Sequence, residues 1–197
     1  MQGKLILVVG PSGSGKGTLM AHIRNTFPHI PSPTTWTTRA PRPGEENGQS
    51  GKKYRFVSQE EFANNIETGG FIEWAEYGGN RYGTPLAEVM NPLSRGETVL
   101  QELEIQGVEQ LRQRIPKEQL AVIFIDAGSW DELRRRILAR GPMDEEELEK
   151  RRVRYEHEQT FAATADFIIK NPFGKVEDAK REIEKTIRAL SARPVSV

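Results

Sequence analysis

The sequence predicts an α/β protein built on a parallel core sheet with helices on both faces, a three-layer α/β/α arrangement. Three observations carry that prediction. Apolar runs of strand length stand at residues 5–9, 99–103 and 120–125, with a shorter one at 167–169. They are rich in Ile, Val and Leu without strict alternation, the pattern of strands buried on both faces. Amphipathic stretches lie between them, and strands alternating with helices fold as crossover units on a parallel sheet. A glycine-rich turn, residues 10–18, joins the first run to the first amphipathic stretch, the setting that a phosphate-binding loop requires.

Taken in order, residues 5–9 are the first strand and residues 16–25 the helix that the glycine turn opens. Residues 35–84 break the rhythm. They are dense in turn formers, among them Pro41, Pro43, Gly44, Gly69, Gly70, Gly78 and Gly79, and hold two aromatic runs, 54–57 and 71–77, that read as antiparallel strands. Ser58, with Glu61 three residues on, caps a short helix between those runs. This stretch reads as a small insert on the main sheet. The strand at 99–103 leads into a helix at 105–114, and the strand at 120–125 into one at 130–139, opened by a capping box of Ser129 and Glu132. Ile183, Ile187 and Leu190 at helical spacing place a closing helix at 176–190. Residues 134–158 are almost all charge, and two readings stay open for them. One is a solvated helical pair with internal ion pairs. The other is a mobile arm that carries arginines to an anionic ligand.

Composition narrows the function classes. With 36% apolar and 28% charged residues in 197, the chain has the make-up of a charge-rich globular domain. No apolar run approaches the roughly 20 residues that span a bilayer, so no membrane association is expected. Lys4 and the short run after it do not make the long apolar segment of a secretory signal. The absence of cysteine excludes disulfides, thiolate metal sites and a cysteine nucleophile, and suits a cytoplasmic location. Basic and acidic residues number 28 each, which argues against a dedicated nucleic-acid binder. His22, His29 and His157 have no metal-ligand spacing.

The chemistry is concentrated in a few segments. Gly10, Pro11, Ser12, Gly13, Ser14, Gly15, Lys16, Gly17 and Thr18 form the strongest of them. Gly10, Gly13 and Gly15 let backbone N–H groups converge on phosphate oxygens, the following helix adds its N-terminal dipole, and Lys16 adds a point charge. Gly17 stands where Ser or Thr usually follows the lysine, with Thr18 next, so direct ligation of a metal by that hydroxyl is not expected. Further on, Arg39 and Arg42 lie three apart in a proline-stiffened turn. Arginine forks match phosphate oxygens, yet on its own the segment reads equally as a surface turn. Glu73 sits in an apolar aromatic run, where a carboxylate needs donors to satisfy it.

The phosphate loop followed by TTRxPRxGE, KxYxF, FIEWAExxGNxYGT and ExExQG, in this order and spacing, resembles the guanylate kinase family over residues 4–171. The resemblance implies a reaction, ATP + GMP giving ADP + GDP, in purine nucleotide metabolism, with dGMP as a further acceptor. It implies ATP on residues 10–18 with Asn171 at the adenine, and GMP in the insert. Arg39 and Arg42 would hold the GMP phosphate, with Tyr54 and Tyr82 on the same group. Glu73 would accept from guanine's two adjacent donors, while Thr35 and Thr84 would present hydroxyls to its carbonyl. Glu102 and Glu104 match a pair often read as aspartates. They alternate along one strand and point to one face at its carboxyl end, toward the nucleobase or magnesium waters. Arg136, Arg140 and Arg151 would belong to a helical lid over the ATP phosphates. Mg²⁺ would be held by phosphates and water, with Thr18 or Glu102 acting through water.

The resulting organisation is a core ATP-binding domain at 1–34, 85–133 and 159–197, a GMP-binding insert at 35–84 and a lid at 134–158. Lys16, Arg39, Arg136, Arg140 and Arg151 would carry catalysis. No nucleic acid, membrane or obligate protein partner is expected. Two rivals are weighed against this reading: a catalytically dead relative that binds a protein, and a kinase for another small phosphate ester. The intact Lys16 and glycines speak against the first, and Glu73, Tyr82 and Thr84 together against the second. Trp36, Trp74 and Trp130 read as packing residues.

Overall fold

A computed structural model describes residues 3–41, 54–139 and 141–192. The elements in chain order are β1 (Lys4–Val9), α1 (Lys16–Thr26), β2 (Thr35–Thr37), β3 (Tyr54–Phe56), α2 (Gln59–Glu67), β4 (Phe71–Tyr77), β5 (Asn80–Pro85), α3 (Leu86–Ser94), β6 (Thr98–Glu102), α4 (Ile105–Arg114), β7 (Leu120–Asp126), α5 (Trp130–Leu138), α6 (Glu145–Ala162), β8 (Phe167–Lys170) and α7 (Val176–Ser191). One sheet has the order β6-β1-β7-β8, and the second β3-β2-β5-β4. The α/β class and the parallel core are as the apolar runs predict. Leu5, Ile6, Leu7, Val8 and Val9 are fully buried, as are Ile123, Phe124 and Ile125 of β7, so these strands read as unbroken apolar runs because both their faces are covered.

The chain packs as two units, Met1–Leu7 with Phe27–Leu120, and Val8–Thr26 with Ala121–Val197. In the second unit β8 runs parallel to β7, with Ile123 opposite Phe167 and Asp126 opposite Lys170. The closing helix α7 buries Ala179, Ile183 and Ile187, one stripe at helical spacing, and packs on α1, which buries Leu19, Met20 and Ile23. The capping box at α5 is present: Ser129 accepts from the Glu132 N–H, and Glu132 accepts from the Ser129 N–H, worth about 1 kcal/mol to the helix. The charged segment folds as the pair α5 and α6, joined by a small apolar cluster of Leu133, Ile137 and Leu148 with Trp130, Met143 and Tyr155 against it. Along α6 the charges pair one turn apart, Lys150 with Glu146 at 2.6 Å and Arg152 with Glu156 at 3.1 Å.

In the first unit the second sheet is antiparallel along β2-β5-β4. β3, read from the sequence as antiparallel too, instead runs parallel to β2, with Thr35 opposite Tyr54 and Thr37 opposite Phe56. Residues 38–53 separate the two strands, long enough for the crossover that a parallel pair needs and a tight hairpin does not. Three elements escape the sequence patterns. β2 is three residues long, β5 contains Gly83 and ends on Pro85, and α3 carries Pro92 with no side-chain cap. β2 is too short to show a period, and the Gly and Pro residues of β5 and α3 break the propensity rules that would reveal those elements.

Candidate active site

The phosphate loop lies in the second unit, between β1 and α1. Gly13 and Gly15 adopt φ of 94° and 93°, backbone that L side chains resist. At Gly15 a Cβ would also stand 2.4 Å from Asn171 Nδ2. Lys16 is the first residue of α1 and is nearly buried. Its ammonium curls back over the loop and donates to the carbonyls of Gly10 and of Pro11, the latter at 3.2 Å. The first turn of α1 has no acidic residue, whereas α2, α5, α6 and α7 all begin with acids. Acids stabilise a helix start. Their absence leaves the positive end of the α1 dipole to an anionic ligand.

Two distant residues complete this loop. Asn171, buried just after β8, donates through Nδ2 to the Ser14 carbonyl at 2.7 Å. Arg136 of α5 donates to the same carbonyl at 3.2 Å and to the Asn171 carbonyl. Ser14 Oγ and Asn171 Oδ1 are buried without a protein hydrogen-bond partner. Buried polar atoms left unpaired by the protein cost about 1–3 kcal/mol each and mark a place where a ligand supplies the partner. Arg151, grouped with Arg136 from the sequence, pairs instead with Glu147 on its own helix at 2.9 Å. Arg140 lies outside the described residues. Gly17 and Thr18 are exposed, and open space surrounds the position of a Gly17 Cβ. Among the described residues no group of three or more His, Asp or Glu side chains converges to hold a metal.

The first unit holds a second site, built on a buried carboxylate. Glu73 of β4 is 4% exposed. It sits opposite Thr84 of β5 in the antiparallel register, and the Thr84 hydroxyl donates to Glu73 Oε1 at 2.5 Å. Burial pushes the Glu73 carboxyl up to about 7, against the lowering pull of Thr84's hydrogen bonds and the Arg114 charge. One face of α4 shapes its surroundings. At Gly107 a Cβ would lie 2.7 Å from Glu73 Oε2, so glycine makes room for the carboxylate. One turn on, Gln110 donates to the Trp74 carbonyl at 2.6 Å and accepts from the Trp74 N–H at 3.2 Å. A turn further, Arg114 donates to the carbonyls of Phe71 at 3.2 Å and Ile72 at 2.7 Å. The backbone on both sides of Glu73 is therefore strapped to α4.

Around this carboxylate the sequence-predicted residues gather in part. Gln101 of β6 donates to the hydroxyls of Thr35 at 3.1 Å and Thr84 at 3.2 Å. The Arg39 guanidinium lies over the Tyr54 ring at 5.3 Å, and the Tyr54 and Tyr82 rings are 6.4 Å apart. These three predicted phosphate ligands thus form one cluster. Arg42 lies outside the described residues. Trp36 packs edge-on to Phe71 at 5.5 Å with Arg55 over its face at 4.0 Å, a packing role as expected. One expectation is corrected. Glu102 and Glu104 do not alternate along a single strand: β6 ends at Glu102, and Glu104 is the exposed residue that starts α4. The strand gives way to the start of α4 there, with Glu104 at the N-cap and no capping hydrogen bond from its side chain, so the strand periodicity stops at Glu102. Gln101, Gly107, Gln110 and Arg114 were not legible as site residues, because each acts from an element distant in sequence from Glu73.

Comparison with known proteins now places the chain. The family model described as guanylate kinase matches residues 2–190. A guanylate kinase of Streptomyces coelicolor is 42% identical over 180 residues, 91% of this chain and 88% of that protein. One of Synechococcus sp. is 40% identical over 93% of this chain and 81% of that protein. Among solved structures, the crystal structure of guanylate kinase from Anaplasma phagocytophilum superposes with a TM-score of 0.74 at 27% identity, covering 98% of this chain and 88% of that one. With the phosphate loop and the buried carboxylate cluster both in place, the chain belongs to the guanylate kinase family.

Proposed function

We propose that the chain transfers the γ-phosphoryl group of ATP to GMP, giving ADP and GDP, as a cytoplasmic enzyme of purine nucleotide metabolism that needs no nucleic acid, membrane or obligate protein partner. The observation that carries the acceptor assignment is Glu73, a buried carboxylate whose Oε2 faces the clearance left by Gly107. An ionised carboxylate only accepts. Guanine presents two adjacent donors, its ring N–H and its amino group, and adenine presents no such pair. The Thr35 hydroxyl suits the guanine carbonyl, Thr84 gives its hydrogen to Glu73 and so orients the carboxylate, and dGMP, which differs in the sugar, fits the same base contacts.

In this reading Arg39, Tyr54 and Tyr82, together with Arg42, hold the GMP phosphate. Glu102 and Glu104 assist from the end of β6 and the start of α4. The loop from Gly10 to Thr18 takes the ATP phosphates through backbone N–H groups and the Lys16 ammonium. Ser14 Oγ and Asn171 Oδ1 gain partners from the nucleotide; an amide oxygen is the acceptor that adenine's amino group requires. Arg136, Arg140 and Arg151 serve a lid, residues 134–158, whose closure keeps water from the transferring group. The acceptor is already an oxyanion, so no general base is needed, and catalysis is positioning and charge neutralisation. The donor set fits Mg²⁺ carried by the nucleotide phosphates and water, with Thr18 or Glu102 reaching it through water; bound there, the ion neutralises phosphate charge.

A coupled assay of ADP release with GMP, dGMP, AMP, CMP and UMP side by side tests the proposal. GMP and dGMP are expected to be turned over, and AMP to be at least ~100-fold poorer in kcat/KM, because the wrong base leaves buried polar groups unpaired. Comparable rates with AMP contradict the guanine assignment.

A further inference from the structure

Gln101 is a buried polar side chain in the middle of the first unit, 2% exposed, and the reaction described above gives it no task. Its amide nitrogen carries two hydrogens. One goes to the Thr35 hydroxyl oxygen at 3.1 Å and the other to the Thr84 hydroxyl oxygen at 3.2 Å. Thr84 in turn donates to Glu73 Oε1 at 2.5 Å. Three strands contribute to this chain of bonds besides the one that bears Glu73: β2 through Thr35, β5 through Thr84 and β6 through Gln101.

The direction of the protons follows from what each group can do. An ionised Glu73 only accepts, so Thr84 must donate to it. A hydroxyl has one hydrogen, so Thr84 meets Gln101 with a lone pair, and the amide must be the donor there. The second amide hydrogen then falls on Thr35, whose own hydrogen is turned away from Gln101. A hydroxyl left alone rotates and serves as donor or acceptor alike. An amide hydrogen received by each hydroxyl biases its own hydrogen away from Gln101: that of Thr84 onto Glu73, that of Thr35 outward as a donor.

We propose that Gln101 is a specificity-determining positioning residue: by donating to both threonines it turns the Thr84 hydrogen onto Glu73 and the Thr35 hydrogen toward the base, which suits a purine with a carbonyl at position 6 over one with an amino group there. Gln101 does not touch the base; it acts through Thr35 and Thr84. The inference rests on the reading of Glu73 and these threonines as the guanine site. The same chain keeps Thr84 aimed at Glu73 and so favours the carboxylate that guanine needs. Besides Thr84, the charged group acting on Glu73 is Arg114 of α4.

The test replaces Gln101 by Met, close in size and shape but without donors, with Gln101→Leu as a second apolar variant should one fold poorly. Folding is checked by circular dichroism and melting temperature. Gln101→Met is expected to raise KM for GMP about tenfold, the loss of a pair of neutral hydrogen bonds, with kcat nearly unchanged and KM for ATP unmoved. The preference for GMP over AMP narrows, because a released hydroxyl can accept from the 6-amino group. The acid limb of kcat/KM for GMP moves to higher pH as Glu73 loses its oriented donor. In a Glu73→Gln background that movement is absent, since no carboxylate remains to titrate, whereas the phosphate of GMP still does. A folded Gln101→Met enzyme with wild-type KM, wild-type base preference and an unmoved acid limb overturns the proposal while leaving the guanine site standing. A wild-type protein that turns over ATP but not GMP overturns the guanine reading, and the role of Gln101 with it.

Discussion

The phosphate loop and the Glu73 cluster are built in opposite ways. The loop is contiguous in sequence and offers donors: backbone N–H groups, a helix dipole and the Lys16 ammonium, with Gly13 and Gly15 supplying the backbone conformations. Its polarity comes from chain geometry, so a short motif is enough to build it. The Glu73 cluster offers an acceptor and is assembled from β2, β4, β5, β6 and α4. A buried acceptor is desolvated by the fold itself, and here that pushes its carboxyl up to about 7. One site uses local backbone with little cost to the fold, and the other draws on long-range packing and costs stability.

The cost is measurable as a pH dependence, and this is the largest expected effect. In the unfolded chain Glu73 loses its proton near its ordinary 4.5, and in the folded protein only near 7. Between those values the folded state holds a proton that the unfolded state has lost, so stability falls as pH rises through that window and stays lower above it. A shift of this size corresponds to about 3 kcal/mol. Glu73→Gln has no proton to lose, so its melting temperature should exceed that of the wild type by more at pH 8 than at pH 4.5. An equal offset at both pH values would place the Glu73 carboxyl in an ordinary solvated setting.

On the other side of the comparison, Lys16→Ala should lower kcat by ~10², by removing a cation aimed at charge that moves in the transition state. GMP affinity, read by calorimetry, should be unchanged, because Lys16 has no part in the Glu73 cluster. A folded variant with near-wild-type kcat would mean that the loop does not act on the transferring phosphate. Gly107→Ala has a smaller effect and a sharper contrast. The new methyl presses on Glu73 Oε2 and should raise KM for GMP about tenfold. Alanine is the better helix former by up to about 1 kcal/mol, which offsets part of the roughly 1–3 kcal/mol cost of overpacking, so thermal stability should fall only slightly. A large loss of stability with GMP kinetics intact would assign Gly107 to packing alone.

The same contrast explains what the sequence disclosed. β1, β7, α4 and α7 were legible because burial on two faces, or on one helical stripe, writes itself into the order of apolar residues. The loop from Gly10 to Thr18 was legible because its residues adjoin. Glu73 could be singled out as an acid in an apolar aromatic run. Its supports could not: Gln101 lies beyond a helix, and Gly107, Gln110 and Arg114 share a face of α4 that meets β4 only in the folded chain. β3 was found but its direction was not, because a short strand carries no record of the partner beside which it lies. Arg136 and Arg151 looked alike in a charged run. Folding sends one to the Ser14 carbonyl and pairs the other within α6.

The central claim is that Glu73 reads guanine by accepting both of its adjacent donors, independently of the phosphate loop. Glu73→Gln keeps the shape and replaces one acceptor by an NH₂ group that faces a guanine donor. The decisive measurement is the kinetics of GMP phosphorylation by this variant, with ATP affinity and melting temperature on the same preparation. A fall of roughly 10²–10³ in kcat/KM for GMP, from the loss of charge-assisted bonds, is expected, with ATP affinity within a few-fold and a melting temperature at or above that of the wild type. GMP turnover that survives while stability collapses would make Glu73 a structural partner of Thr84 and Arg114, and would contradict the account.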